Sequence, residues 1–341
     1  MDLVSIVILN YNGRKHLQTF LPSVVKFSQD HPIIVADNNS TDGSIQFLQN
    51  QYPNIRIIQF EENHGFSKGY NLAIAQVNSE FCVLLNSDVE VTENWIKPIL
   101  KMMESDPSIV AGQPKILSYS SRNQFEYAGA GGGFIDYLGY PFCRGRLFDS
   151  LEEDENQYND VVPVFWASGA CFFVRTEHFL ESGGFDEDFF AHMEEIDLCW
   201  RMQLKGFSVW YCGESTVYHL GGGTLPKSNP QKTYLNFRNS LLLLIKNHRT
   251  SVLLYSLILR FLLDGLASLK FLVSESPKDA WAVMKAYLHI LIHINRYHKK
   301  RRKYRGLRKG KFLEIYNSSI VWQHFFKGIN KYRDLRINNT R

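Results

Sequence analysis

The chain has 341 residues, 45% hydrophobic, 14% aromatic and 21% charged, with a net charge of +4. That is enough apolar material for one large domain plus a smaller appendage, and it excludes a disordered chain. The five cysteines (Cys82, Cys143, Cys171, Cys199 and Cys212) are odd in number and form no Cys-x-x-Cys pair, which fits a reducing cytosol and not a disulfide framework.

The first apolar run, Leu3 to Leu9, predicts a strand that ends in the polar turn Asn10-Tyr11-Asn12-Gly13, with a helix following through Leu21. Met1-Asp2-Leu3 lacks a basic start and the run is too short for a signal peptide, so a cytosol-facing protein is expected. Ile33 to Ala36 reads as a second buried strand, and the cluster Asp37 to Ser44 after it can cap a helix at Asp42 or Ser44. Ile55 to Phe60 is a third strand, and Asn63 to Gly69 is a loop into a helix through Val77. The run Phe81 to Leu85 is a fourth, ending at Asn86-Ser87-Asp88. Strands alternating with helices predict a parallel, doubly wound α/β sheet, whose ligands bind at the C-terminal strand edge.

After about residue 110 the pattern changes. The glycines from Gly129 to Gly133 follow no strand and read as a loop or bulge. Val161 to Trp166 and Ala170 to Val174 predict two strands, Glu194 to Arg201 a helix, and Ser208 to Cys212 a late strand with His219 beyond it. Gly221-Gly222-Gly223 reads as a mobile loop.

The C-terminal region, residues 241–341, differs in kind from residues 1–240. Beyond Asp279, sixteen Lys/Arg stand against two acidic residues, Glu314 and Asp334, a balance of +14 that leaves −10 for the rest. Val252 to Val273 is long enough to span a bilayer, but it carries Arg260, Asp264 and Lys270. Each charge at mid-membrane would cost roughly 2.5–3.5 kcal/mol. Ser256, Arg260, Asp264 and Ser268 recur every fourth residue, and Lys285, His289, His293 and Arg296 form a similar stripe. Two amphipathic helices lying in the membrane interface fit this better than two spans; helices packed on the rest of the chain are the alternative. The run Lys299 to Lys303, with Arg305, Arg308, Lys309 and Lys311, suits an anionic lipid surface. Nothing resembling a nucleic-acid recognition module accompanies it, so no nucleic-acid partner is expected.

At a strand edge, an aspartate and an amide oxygen such as Asp88 and Asn86 suit Mg²⁺ or Mn²⁺ beside a phosphorylated substrate; Asn, Ser and Asp are equally common turn formers. Asp37 and Asp42 can meet the base or ribose of a nucleotide, or cap a helix. Glu194 and Glu195 point about 100° apart on a helix and cannot share one task. His219 can complete a metal shell or be a core histidine.

Taken together and in order, Ser5 to Asn12, Asp37 to Ser44, Asn63 to Asn71 and Leu84 to Asp88 resemble the successive motifs of glycosyltransferase family 2. Phe189 to Arg201 resembles that family's acceptor motif, closest to its rhamnosyltransferase-like branch in bacterial polysaccharide biosynthesis. The resemblance covers roughly residues 3–240 and implies a GT-A fold, a nucleotide-diphosphate sugar donor, a divalent metal and inversion at the anomeric carbon. It places the catalytic base at Glu195, with Glu194 as the other candidate, and the metal at Asp88 and His219. It places the nucleotide and donor at Asn10, Asp37, Asn39, Asp42, Lys68, Asn71 and Asn86, and the acceptor side at Trp166, Gly169, Asp197 and Arg201. Arg238-Asn239 resembles the closing stretch of the domain. Asn86 stands where the family carries a first aspartate, and Glu195 where it usually carries an aspartate. The expected acceptor is lipid-linked or a polysaccharide, at the cytoplasmic membrane face. A sugar-nucleotide nucleotidyltransferase and a non-catalytic nucleotide-sugar binding protein are the alternatives.

Overall fold

The first apolar run forms β1 (Asp2–Asn10), with Val4, Ile6, Val7 and Ile8 buried, as a strand covered by helices on both faces requires. The computed structural model describes residues 2–221, 229–274, 276–304 and 315–335. Gly222, Gly223, Arg305, Arg308, Lys309, Lys311 and Glu314 lie outside the described residues. Helix α1 (Arg14–Phe27) runs past the expected end at Leu21, because Val24 continues the buried stripe of Leu17, Phe20 and Leu21 beyond Pro22. Then follow β2 (Ile33–Asp37), α2 (Ser44–Gln51), β3 (Arg56–Gln59), α3 (Gly65–Ile74) and β4 (Ser79–Asn86). Next come β5 (Val89–Val91), α4 (Lys97–Ser105) and β6 (Ile109–Ser118).

The glycine cluster leads into a small antiparallel sheet of β7 (Gly133–Ile135), β8 (Pro141–Cys143), β9 (Arg146–Leu147) and β10 (Ser150–Leu151). A Cβ at Gly133 would come within 2.1 Å of the Trp166 indole, so close packing demands glycine there. The chain then returns to the main sheet through β11 (Val161–Val164) and β12 (Cys171–Arg175). Helices α5 (Thr176–Glu181) and α6 (Glu194–Leu204) follow, and β13 (Ser208–His219) completes the sheet.

Among the described residues, the main sheet has nine strands in the order β11-β13-β6-β12-β4-β1-β2-β3, with β5 on β13. The pairs β1–β2, β1–β4, β2–β3 and β6–β13 are parallel. The expected parallel sheet is interrupted, because β12 lies antiparallel between β4 and β6. Antiparallel placement brings the start of β12, just after Gly169, to the edge where β1, β2, β4 and β13 end. The late strand also runs longer than its apolar run: a register shift between Cys212 and Thr216 marks a bulge, and pairing resumes to His219. Gly213, Glu214 and Ser215 look like a turn and are accommodated as that bulge.

The C-terminal region is helical: α7 (Pro230–Asn247), α8 (Thr250–Val273), α9 (Pro277–Ile292) and α10 (Ile294–Tyr304). Helix α7 passes unbroken through residue 240 and is buried along its second half. On α8 the polar stripe faces inward. Arg260 donates to the Ser240 hydroxyl (2.7 Å), the Leu138 carbonyl and Asp264, while Tyr140 and Tyr287 donate to Asp264 at 2.7 and 2.8 Å. The outer face of α8 is apolar, with Leu254, Tyr255, Ile258, Phe261, Leu262, Leu266 and Leu269 exposed. Helix α9 continues it with Trp281, Met284, Leu288 and Leu291. Part of the basic run is used internally: Lys300 pairs with Asp186 and Asp188, Arg296 with Asp188, and Arg301 donates to the Ile245 carbonyl.

Candidate active site

The parallel strands end together, so residues far apart in sequence meet at one edge. Asn10 and Asp37 are neighbours in the β1–β2 register. Asp37 is fully buried, and its oxygens accept from the Asn10 amide (2.8 Å) and the Ser40 N–H (2.8 Å). Asn12 accepts from the Thr41 N–H, and Ser40 Oγ accepts from the Asn12 N–H, so the loops after β1 and β2 are laced together. Asp42 accepts from the Arg14 N–H and from both the N–H and hydroxyl of Ser44. Burial raises its pKa, but these hydrogen bonds outweigh it and hold the carboxyl below its usual range. Asn39 is exposed with φ +66°. Lys68, on the first turn of α3, stays partly exposed, 3.9 Å from Glu62. An open groove of about 660 Å³, lined by Asn12, Arg14, Lys15, His16 and Asp42, lies at this edge.

Asp88 follows β4 and His219 ends β13. The Leu220 N–H donates to the Asp88 carbonyl (3.0 Å), which locks the two turns together and leaves His219 Nε2 3.2 Å from Asp88 Oδ1. Behind the imidazole, His219 Nδ1 faces Glu126 Oε2 at 3.3 Å. Burial alone would lower the His219 pKa; the hydrogen bonds and charges of Asp88 and Glu126 outweigh it and hold it at about 10. Burial likewise raises Asp88, but His219, with His16 further off, brings it below the usual range. Asp88, His219 and Glu126 form a carboxylate–histidine–carboxylate row, in which the charged imidazole lies between the two acids with a nitrogen on each. The Asp88 carboxylate fits the expected metal, and His219 could join it only after losing its proton and leaving Asp88. Among the described residues no three His, Cys, Asp or Glu side chains are arranged to hold an ion. Glu126 and His16 escaped the sequence reading because each stands isolated in its stretch, with no motif around it.

Glu194 and Glu195 open α6. Glu194 is buried, and burial together with the charge of Glu195 raises its pKa far above the usual range. Glu195 is half-buried. Burial is the strongest influence on it and, against backbone N–H groups including that of Gly169, pushes it up to about 7. A Cβ on Gly169 would sit 3.9 Å from the Glu195 carboxyl carbon. Ala170, the next residue, accepts from the Asn86 N–H at 3.0 Å, so Glu195 faces the segment that braces Asn86-Ser87-Asp88.

Other expected site residues serve the fold. Both ends of the Asn71 amide bond the Phe185 backbone, at 2.9 and 2.8 Å, so Asn71 tethers α3 to that loop. Asp197 and Arg201 are buried. Asp197 pairs with Arg201 (2.7 Å) and Lys246 (2.8 Å), and Arg201 donates to the Ser182 and Gly184 carbonyls. Trp166 is buried with its indole N–H on the Phe134 carbonyl (2.9 Å). Of the four residues expected on the acceptor side, Asp197, Arg201 and Trp166 thus have buried structural partners, and Gly169 lies beside Glu195.

Comparison with known proteins identifies the family and the fold. Residues 5–175 match the family described as glycosyl transferase family 2. The chain is 30% identical over 236 residues to the N-acetylglucosaminyl-diphospho-decaprenol L-rhamnosyltransferase of Mycobacterium tuberculosis, covering 64% of this chain and 76% of that protein. It resembles S. aureus TarS 1-349 at a TM-score of 0.52 and 16% identity, over 89% of this chain and 91% of that one. It also resembles the mannosyltransferase PcManGT of Pyrobaculum calidifontis, solved with GDP-Man and Mn²⁺, at a TM-score of 0.50 and 13% identity, over 89% and 85% of the two chains. The fold is GT-A-like, and with the family matched over half its length the chain belongs to glycosyltransferase family 2.

Proposed function

We propose that the protein is an inverting glycosyltransferase that moves a sugar from a nucleotide-diphosphate donor, with uridine or thymidine as base, to a hydroxyl of a lipid-linked or polysaccharide acceptor. The observation that carries this reading is Glu195, a half-buried carboxyl at about 7 beside Gly169 on the edge that holds Asp88 and His219. A base poised near the working pH is what removal of a hydroxyl proton needs. In this mechanism Glu195 accepts the acceptor's proton as its oxygen attacks C1. Asp88, with His219 once it has lost its proton, would hold Mg²⁺ or Mn²⁺, which when bound would neutralise the departing diphosphate. An imidazole ligand favours Mn²⁺ over the oxygen-seeking Mg²⁺. Asn10, Asp37 and Asp42 set the loops that receive the nucleotide, and Asn39, Lys68 and Asn86 face the donor. Glu195→Gln keeps the shape and removes the base: transfer from a labelled nucleotide sugar to a lipid extract falls roughly 10²–10⁴-fold, with donor affinity by calorimetry nearly unchanged. Full turnover by this variant overturns the assignment.

The acceptor reading draws on the apolar face of α8 and α9 and on the mycobacterial relative, whose name specifies a diphospho-decaprenol acceptor. Helix α8 is long and apolar enough to cross a membrane, yet Arg260 and Asp264 bind it to Leu138 and Tyr140 of the catalytic part. Lying in the plane of an anionic leaflet keeps those bonds and buries the apolar face. Exposed Lys299, Arg302 and Lys303 then meet lipid headgroups. In this reading residues 1–240 carry catalysis and residues 241–341 seat the enzyme on the cytoplasmic membrane face, where its substrate resides.

A further inference from the structure

The segment leading into α6 has a backbone that its residues would not adopt unaided. Phe190, His192 and Met193 have φ of +62°, +70° and +71°, in the region that L side chains rarely enter. Phe190, with ψ −59°, lies outside even the left-handed helical basin. Such conformations persist where the surroundings over-determine them, and they concentrate at functional sites. Here the surroundings are two adjacent residues of α7. Asn239, fully buried, donates through its single NH₂ to the carbonyls of Phe189 (3.0 Å), Ala191 (2.8 Å) and His192 (2.7 Å). Its oxygen accepts from Arg238 Nε at 2.8 Å. The Arg238 guanidinium in turn donates to the carbonyls of Asp188 and Phe189, both at 2.8 Å. Four carbonyls between Asp188 and His192 are thus gripped from one side, and after Met193 come Glu194 and Glu195.

We propose that Arg238 and Asn239 are positioning residues that hold the Asp188–Met193 backbone in its left-handed course and thereby aim Glu195 at the acceptor. This rests on Glu195 being the base. The reasons are chemical. Asn239 is unusual in spending a buried amide almost entirely on carbonyls of one loop, which regular helix packing does not require. No other residue type offers this bonding at that place: Asp lacks the donors, and Leu of similar volume lacks both donors and acceptor. Arg238 fixes which way the amide is turned, since its guanidinium must meet the amide oxygen and so sends the NH₂ to the loop. Released from this grip, the loop relaxes to ordinary φ values, the N-terminus of α6 rotates, and Glu195 leaves the Gly169 N–H. Donor contacts at Asn10, Asp42 and Lys68 lie on other elements and stay intact.

Asn239→Asp, Arg238→Lys and Glu195→Gln, with the double variant Glu195→Gln/Asn239→Asp, test this in the full-length protein with a nucleotide-sugar donor and a lipid-extract acceptor. Asn239→Asp is expected to lower kcat at least thirtyfold, leave donor Kd within threefold, and move the rising limb of the kcat–pH profile away from about 7. Arg238→Lys, which keeps a charge and one donor, is expected to lose less than Asn239→Asp. In the Glu195→Gln background Asn239→Asp should cost almost nothing more, because both changes remove one function. The proposal is overturned by an Asn239→Asp enzyme with near-normal kcat, or by an equal further loss in the Glu195→Gln background. Should Asn239→Asp fail to fold, an Arg238→Lys enzyme with unaltered kcat and pH limb overturns it instead. A fully active Glu195→Gln enzyme refutes the base assignment, which is a separate result.

Discussion

Glu195 and Glu194 are adjacent acids in different surroundings, and that difference makes pH a direct probe of them. Burial holds Glu195 at about 7 against an ordinary 4.5. Because the base must be ionised, kcat should rise with pH through about 7 and level off above it, read as steady-state turnover between pH 5.5 and 9. The same shift has a stability sign. The folded protein keeps a proton that the unfolded chain releases, so this group's contribution falls as pH rises from 4.5 to 7. Glu195→Gln should therefore raise Tm relative to wild type at pH 8 and leave it nearly unchanged at pH 4. At the metal-binding corner, Glu126→Ala removes the carboxylate behind His219 and should weaken Mn²⁺-dependent donor binding about 10–100-fold, read by calorimetry with the metal and donor together. Asn71 separates tether from ligand. Asn71→Ala leaves the Phe185 N–H and carbonyl unpaired and should cost about 1–3 kcal/mol in urea unfolding, with donor Kd unchanged.

At the scale of elements, periodicity located strands and helices well where one apolar run made one element. It failed where two short stretches make one element, as in β13, because a bulge at Gly213 to Ser215 looks like a turn in sequence. It also could not give direction: Cys171 to Arg175 reads as a buried strand in either orientation, and only its partners make it antiparallel. Helix α8 shows the same ambiguity in its polar stripe. Spacing finds Ser256, Arg260 and Asp264 on one face, but either water or protein can face them; here Tyr140, Tyr287 and Ser240 do. Arg260→Leu should strand a buried Asp264 and cost about 3–5 kcal/mol, measured by chemical unfolding. Replacing both charges with apolar residues should restore most of that stability, since a buried pair contributes less than its rupture costs.

For the whole molecule, the basic end noted in the sequence is partly spent on the acidic body, through Lys300 and Arg296 on Asp186 and Asp188, while α8 and α9 keep an exposed apolar side. Ile258→Glu with Phe261→Glu should abolish sedimentation with vesicles containing phosphatidylglycerol, while calorimetric donor binding persists. Retained vesicle binding would refute docking through this face. By itself the sequence determined the α/β class, the family resemblance, the strand-end residues Asp37 and Asp88, the helical Glu195, and the amphipathic end, because each depends on local spacing or on a contiguous motif. Only the tertiary structure decided which of those residues are free. Asn71, Asp197, Arg201 and Trp166 belong to recognisable motifs, yet their polar atoms are taken by backbone and ion partners up to 114 positions away. Glu126 and Asn239 carry no local signal and gain their roles from the loops they meet. A hydrogen bond's partner is set by where the chain returns, and no spacing along the chain records that.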